Sequence, residues 1–253
     1  MFATAHLRDA RRDRTILLGS LVALCLLAWA SLSAWEASPF APYLHHAAAP
    51  GPLPLEAALF SLGWVLMIVA MMLPSSIPLV LTFRAIVGRR ERPGVDVALL
   101  LLGYLLVWTT FGFAAWILDR GIHAAVDAVP WLAAHSQVII GMTLLGAGLW
   151  QFSPIRDRCL EACRSPLGFV LNRWRGTAER RESLVMGIAH GAFCVGCCWS
   201  LMLVMFGIGL GSLPLMLVLG GLTAIEKNLP SGRRLTRPLG VVLVLAAVYV
   251  VAA

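Results

Sequence analysis

The sequence predicts an all-α fold, a polytopic transmembrane helical bundle of about seven spans with the N-terminus inside. Three observations lead there. Hydrophobic residues make up 59 % of the 253 positions and charged residues 13 %, with a mean hydropathy of +0.83. A soluble domain carries roughly 25 % charged and about 45–50 % apolar residues, so this chain cannot cover its own surface with polar groups. The apolar residues also gather in runs approaching the ~20 residues that a spanning helix needs, without the strict alternation of a membrane barrel. Lipid offers the backbone no hydrogen bonds, and helices then remain as the structure that satisfies its own polar groups. Finally, the basic residues cluster between alternate runs.

The elements follow in chain order. A basic tail, residues 1–14, precedes the first run at 15–34; that run exceeds the ~7–15 residues of a signal-peptide core and reads as a signal anchor. The second run, 55–87, passes through Pro74 and Pro78, which remove two backbone donors and predict a broken helix of the kind tolerated where it lines a protein cavity. The third and fourth runs are 95–118 and 137–152, the fifth 184–208, the sixth 213–225 and the seventh 239–253. The fourth, sixth and seventh are short. Residues 153–183, the largest piece outside these runs, are too few for a core of their own, so 1–253 is expected to form one membrane domain. With the N-terminus inside, nineteen of the twenty Lys and Arg residues fall on the inner side and Arg120 alone outside, as the positive-inside rule requires. Trp29, Trp35, Trp116 and Trp131 then fall near the outer boundary, where an aromatic belt is expected. The net charge of +7 is thereby explained by topology, and no basic face interleaved with aromatics suggests nucleic acid.

The fifth run reads SLVMGIAHGAFCVGCCWSLMLVMFGIG. His190, Cys194, Cys197 and Cys198 stand at i, i+4, i+7 and i+8, within an arc of about 100° on one helical face. Met186 precedes them on that stripe and Met205 returns to it. At about 1.5 Å per residue Cys194 lies ~15 Å deep, near the bilayer midplane. A lone buried cysteine is a small hydrophobe; an intramembrane histidine with three thiols on one stripe is a functional hypothesis. Thiolates and thioethers select Cu(I), while a thiolate–imidazole set also suits zinc. Met67 and Met71, at i and i+4 in the broken second run with Met72 beside them, add thioethers at a similar depth, though core filling accounts for them equally well. Gly187, Gly191 and Gly196 suit either a site or close helix packing. Cys159 and Cys163, at i and i+4 on the inner side, form a second thiol pair able to hold or hand on a soft ion; disulfide bonding there is disfavoured in a reducing compartment. Cys25 reads as structural. Glu226, at the end of the sixth run beside Lys227, is expected to be solvated or paired with that neighbour, a gate or proton role being the other reading. His45 and His46, in the outer loop, are able to collect metal from outside.

HGAFCVGCCWSLM, MMLPSSIP, CLEACRSPLGF and LTAIEKNLP, in this chain's order MMLPSSIP first, together resemble a bacterial family of predicted metal-binding integral membrane proteins of unknown function, some members of which are labelled copper chaperones. The resemblance covers roughly residues 56–240. It implies metal, copper foremost, at His190, Cys194, Cys197 and Cys198, with Cys159 and Cys163 as a second set, in a multi-pass protein of the bacterial inner membrane. It implies no direction of movement.

The leading expectation is therefore a non-enzymatic protein that binds Cu(I), with zinc as the other candidate, for copper delivery or transport. Its partners would be the metal ion, membrane lipid and a copper chaperone or copper-dependent membrane enzyme. The competing expectation is a thiol–disulfide relay through Cys194/Cys197 and Cys159/Cys163. No Ser–His–acid order, phosphate loop or paired intramembrane carboxylates point to catalysis.

Overall fold

A computed structural model describes residues 2–44, 52–88, 90–177, 179–208 and 212–252. His45 and His46 lie outside the described residues. The chain runs through α1 (Phe2–Glu36), α2 (Leu53–Met71), α3 (Leu73–Val87), α4 (Pro93–Ala128), α5 (Pro130–Ala134), α6 (Gln137–Trp150), α7 (Pro154–Arg164), α8 (Pro166–Leu171), α9 (Glu179–Ile208), α10 (Leu213–Asn228) and α11 (Thr236–Ala252), with 3₁₀ turns at Ala41–Leu44 and Gly232–Leu235. No strand occurs among the described residues, and the all-α class expected from the sequence is what forms.

Proline punctuates the helices. It stands in the first turn of α2, α3, α4, α5, α7, α8 and α10, where its missing N–H costs nothing and its fixed φ favours helix initiation. Pro74 has the further effect predicted for the second run, which breaks at Met72 into α2 and α3. A proline there deprives the Ala70 carbonyl, four residues earlier, of its helical donor. The Trp29 indole N–H of α1 donates to that carbonyl at 3.1 Å. Trp29, placed by the sequence in an outer belt, thus turns inward and joins α1 to the break.

Among the described residues, five helices are long and apolar enough to cross a membrane: those in α1, α2, α4 and α9, and α11 with the turn before it. α6 and α7, bent by 65° at their junction, would together make a sixth. The expected seven spans are therefore five to six candidates, because α3 continues α2 as a shorter apolar helix and α10 has only 16 residues, ending in Glu226, Lys227 and Asn228. Exposed apolar side chains are plentiful on the long helices, among them Leu26, Leu27, Ile117, Leu118 and Val248.

The spine is the parallel pair α4 and α9. Ser183 bonds Asp96, Gly187 lies on the Leu100 backbone and Gly191 on Tyr104 and Val107, three contacts each one turn apart on both helices. A Cβ at Gly187 or at Gly103 would collide with the facing backbone; small residues allow the two chains to approach this closely. Two of the three glycines on the fifth run thus serve packing. α6 and α11 pair antiparallel, Gly141 against Ala247 and Val251, Gly148 against Gly240 and Val244.

The short helices decide the architecture. α6 stops at Trp150, whose indole N–H donates to the Gly196 carbonyl at 3.1 Å, half way along α9. α10 ends with Lys227 against Cys194, and α11 begins at Thr236, bonded to Glu226. The ends of α6 and α10 therefore meet at the middle of α9, with the start of α11 tied to the end of α10. Residues 153–183 fill the space below them: far from being a loose connection, α7 and α8 pack along α9 and α3, with Leu160, Phe169 and Val170 buried.

Candidate metal centre

The stripe on α9 faces inward along its length. Cys194, Cys197 and Cys198 are within 1 % of fully buried and His190 is 3 % exposed. Periodicity put them on one face, and the α2–α3 break, α4, α7, α8 and the end of α10 bury that face.

Each donor has a partner. The Cys194 Sγ lies 2.9 Å from the Lys227 Nζ and 3.3 Å from the Tyr104 hydroxyl. Cys197 and Cys198 turn their thiols back on their own helix and donate to the Cys194 carbonyl at 3.1 and 2.9 Å, as hydroxyls do in buried helices. The Cys198 Sγ also sits 3.8 Å from the Met72 Sδ at the α2–α3 break. Thiols of Cys163, Cys194 and Cys198 all adjoin that of Cys197. One step toward the basic end of the bundle, His190 Nε2 meets the Ser76 hydroxyl at 3.1 Å. Its ring stacks on Tyr104 and edges against Phe169, while Nδ1 is buried without a partner.

The two thiol sets are not separate. α7 lies against α9 so that Cys163, buried, reaches Cys197, and Cys159, half-buried, faces Gly196, where a side chain would strike its sulfur. Gly196 is thus the glycine that admits the second pair. Of the methionines singled out, Met71 packs against Gly220 of α10 and Met67 lies buried in the core; the neighbouring Met72 is the one whose sulfur reaches a thiol. Seven of the eight methionines among the described residues are buried, all on α2, α9 and α10 or the residue that ends α2. Cys25 sits apart on α1 in the apolar core. All six cysteines are free thiols.

Among the described residues no three His, Cys, Asp or Glu side chains converge as a ready-made ligand shell. The sulfurs are close, but each is turned toward a protein partner, so binding an ion requires thiol rotations that exchange those contacts. That suits a soft ion taking few sulfur ligands better than a rigid tetrahedral site.

Glu226 and Lys227 depart from expectation. Glu226 is neither solvated nor paired with its neighbour: buried, it binds Arg156 of α7 at 2.7 Å, accepts from the Thr236 hydroxyl at 3.0 Å, and its backbone carbonyl accepts from Arg164. Lys227 turns the other way, toward Cys194 and, at 3.3 Å, Ser75. Sequence reasoning missed Lys227, Tyr104, Ser75 and Ser76 as neighbours of the stripe. The signal available was the shortness of the sixth run, which cannot carry its charged end to a membrane surface.

Residues 61–250 match the family model PpoB2, described as "Copper chaperone". No curated protein and no solved structure matches the chain.

Proposed function

Because the chain belongs to the PpoB2 copper chaperone family, we propose that it is an inner-membrane protein that holds Cu(I) as cargo at the buried sulfur cluster of α9 and passes it on by ligand exchange. The observation that carries this reading is the row of neighbouring thiols, Cys163 of α7 beside Cys197 of α9 with Cys194 and Cys198 flanking it, and the Met72 thioether beside Cys198. Thiolates and thioethers are the ligands that select Cu(I), and polar groups are kept inside a membrane bundle where they serve an ion or substrate path. His190, with an unpaired buried nitrogen, stands next on the route toward the basic end, and Cys159 at its margin. Met67 and Met71 continue the thioether lining along α2.

In this reading the basic end, with Asp13–Arg84 and the Arg-rich connections, faces the cytosol. Copper reaches Cys163 and Cys159 from a cytosolic donor, crosses to Cys197 and Cys194, and leaves to a partner protein. Each step exchanges one Cu–S bond for another, and no electron moves. The chain holds no nucleotide-binding loop, and the transfer is driven by relative affinities. The thiol–disulfide relay is not favoured by the family.

The test is copper content after anaerobic Cu(I) loading and desalting. Wild type is expected to retain about one ion per chain, Cys197→Ser and Cys163→Ser to lose most of it, and Cys25→Ser to keep it. Equal copper in all four proteins would overturn the site.

A further inference from the structure

Lys227 is the feature that copper binding by itself does not explain. It is buried at the centre of the bundle, 4 % exposed, and among the described residues its ammonium touches no carboxylate. Glu226, the nearest along the chain, is committed to Arg156 and Thr236. A charged group inside a membrane bundle is costly and is normally held against an opposite charge. Lys227 instead lies 2.9 Å from the Cys194 Sγ, steadied by the Ser75 hydroxyl at 3.3 Å. Ser75 in turn donates to the Met72 carbonyl at the helix break. A neutral residue would pack here at less cost, and a carboxylate would draw a cation in; a lysine opposes one.

Resting on the copper site proposed above, we infer that Lys227 is the release residue of that site. Its ammonium occupies Cys194 in the copper-free chain and stands against the ion in the loaded chain, so that copper is held loosely enough to be handed on. On loading, the donor's Cu–S bond breaks as a Cu–Sγ bond to Cys194 forms, the Cys194 thiol proton passes to the donor's freed thiolate, and the ammonium gives up its Nζ–H···Sγ contact and falls back on Ser75. The ammonium and the ion compete for the same Cys194 sulfur, and at close range in a medium of low dielectric the charge of the lysine opposes that of the ion, the thiolates that hold the ion offsetting part of the repulsion. When an acceptor thiolate approaches, the ammonium retakes Cys194 as the Cu–Sγ bond breaks. Lys227 is a positioning residue: it never ligates copper, and it acts through Cys194.

A purely structural lysine and a release lysine predict opposite results. Full-length wild type, Lys227→Met, Lys227→Gln and Lys227→Arg are loaded with Cu(I), and the rate of transfer to an excess of a colorimetric Cu(I) chelator is followed. Removing the charge is expected to leave copper bound at least as tightly and to slow its release at least about tenfold, while Lys227→Arg, which keeps the charge, releases within about threefold of wild type. Lys227→Gln retains a donor for Ser75 and is expected to slow release equally, which keeps the test decisive should Lys227→Met misfold. Neutral variants that release at the wild-type rate, or that lose copper while wild type keeps it, overturn the inference and leave the site standing. A wild type that takes up no Cu(I) overturns the site and the inference together.

Discussion

Two adjacent residues at the end of α10 put two buried charges into very different surroundings. Glu226 meets a complete set of partners: the Arg156 guanidinium, the Thr236 hydroxyl, and through Thr236 a second bond to Arg156 at 3.1 Å. Charge is matched by charge, and the trio ties α7, α10 and the start of α11 into one unit. Lys227, about 100° further round the helix, meets sulfur and a serine hydroxyl. The first cluster pairs charge with charge and holds helices together. The second is open, because the sulfur it meets is also the proposed ligand of a soft metal. The difference separates scaffold from site within two residues of chain.

That contrast is broken most severely at Arg156. Removing one partner of a buried ion pair strands the other charge at a cost of about 3–5 kcal/mol. Arg156→Met is therefore expected to lower thermal stability in detergent strongly, whereas Lys227→Met, which strands no carboxylate, lowers it much less. Equal losses would mean that the two clusters are alike.

Trp29→Phe sharpens the comparison from the small end. It removes one indole hydrogen bond to Ala70, worth about 1 kcal/mol, from a contact that includes none of the thiols. A slight drop in melting temperature with unchanged copper content is expected; a loss of copper would show that the α2–α3 break, and with it Met72, is positioned from α1.

How much of this was legible in the sequence depends on range. The all-helical class and the α9 stripe follow from composition and from a 3.6-residue period, both local, and the structure buries His190, Cys194, Cys197 and Cys198 as one face. The break at Pro74 was legible for the same reason. The positions of Lys227 and Glu226 were not, because an apolar run that stops at Ile225 reads as a span ending at a membrane surface. In the structure α10 and α6 stop, and α11 starts, inside the bundle, and only the packing of these helices shows that. Cys163 illustrates the same limit. Its spacing from Cys159 was visible, but its contact with Cys197 depends on the 65° bend between α6 and α7, which carries α7 back along α9. Met72 was seen beside Met67 and Met71, and the break then turned its sulfur, rather than theirs, toward Cys198.

Whether copper sits on the sulfurs of α9 and α7 is tested most directly by X-ray absorption at the copper edge of the Cu(I)-loaded, full-length protein. A first shell dominated by sulfur is expected, and it should lose sulfur in Cys163→Ser as well as in Cys197→Ser. A shell dominated by oxygen or nitrogen, unchanged by either substitution, would contradict copper binding at these thiols.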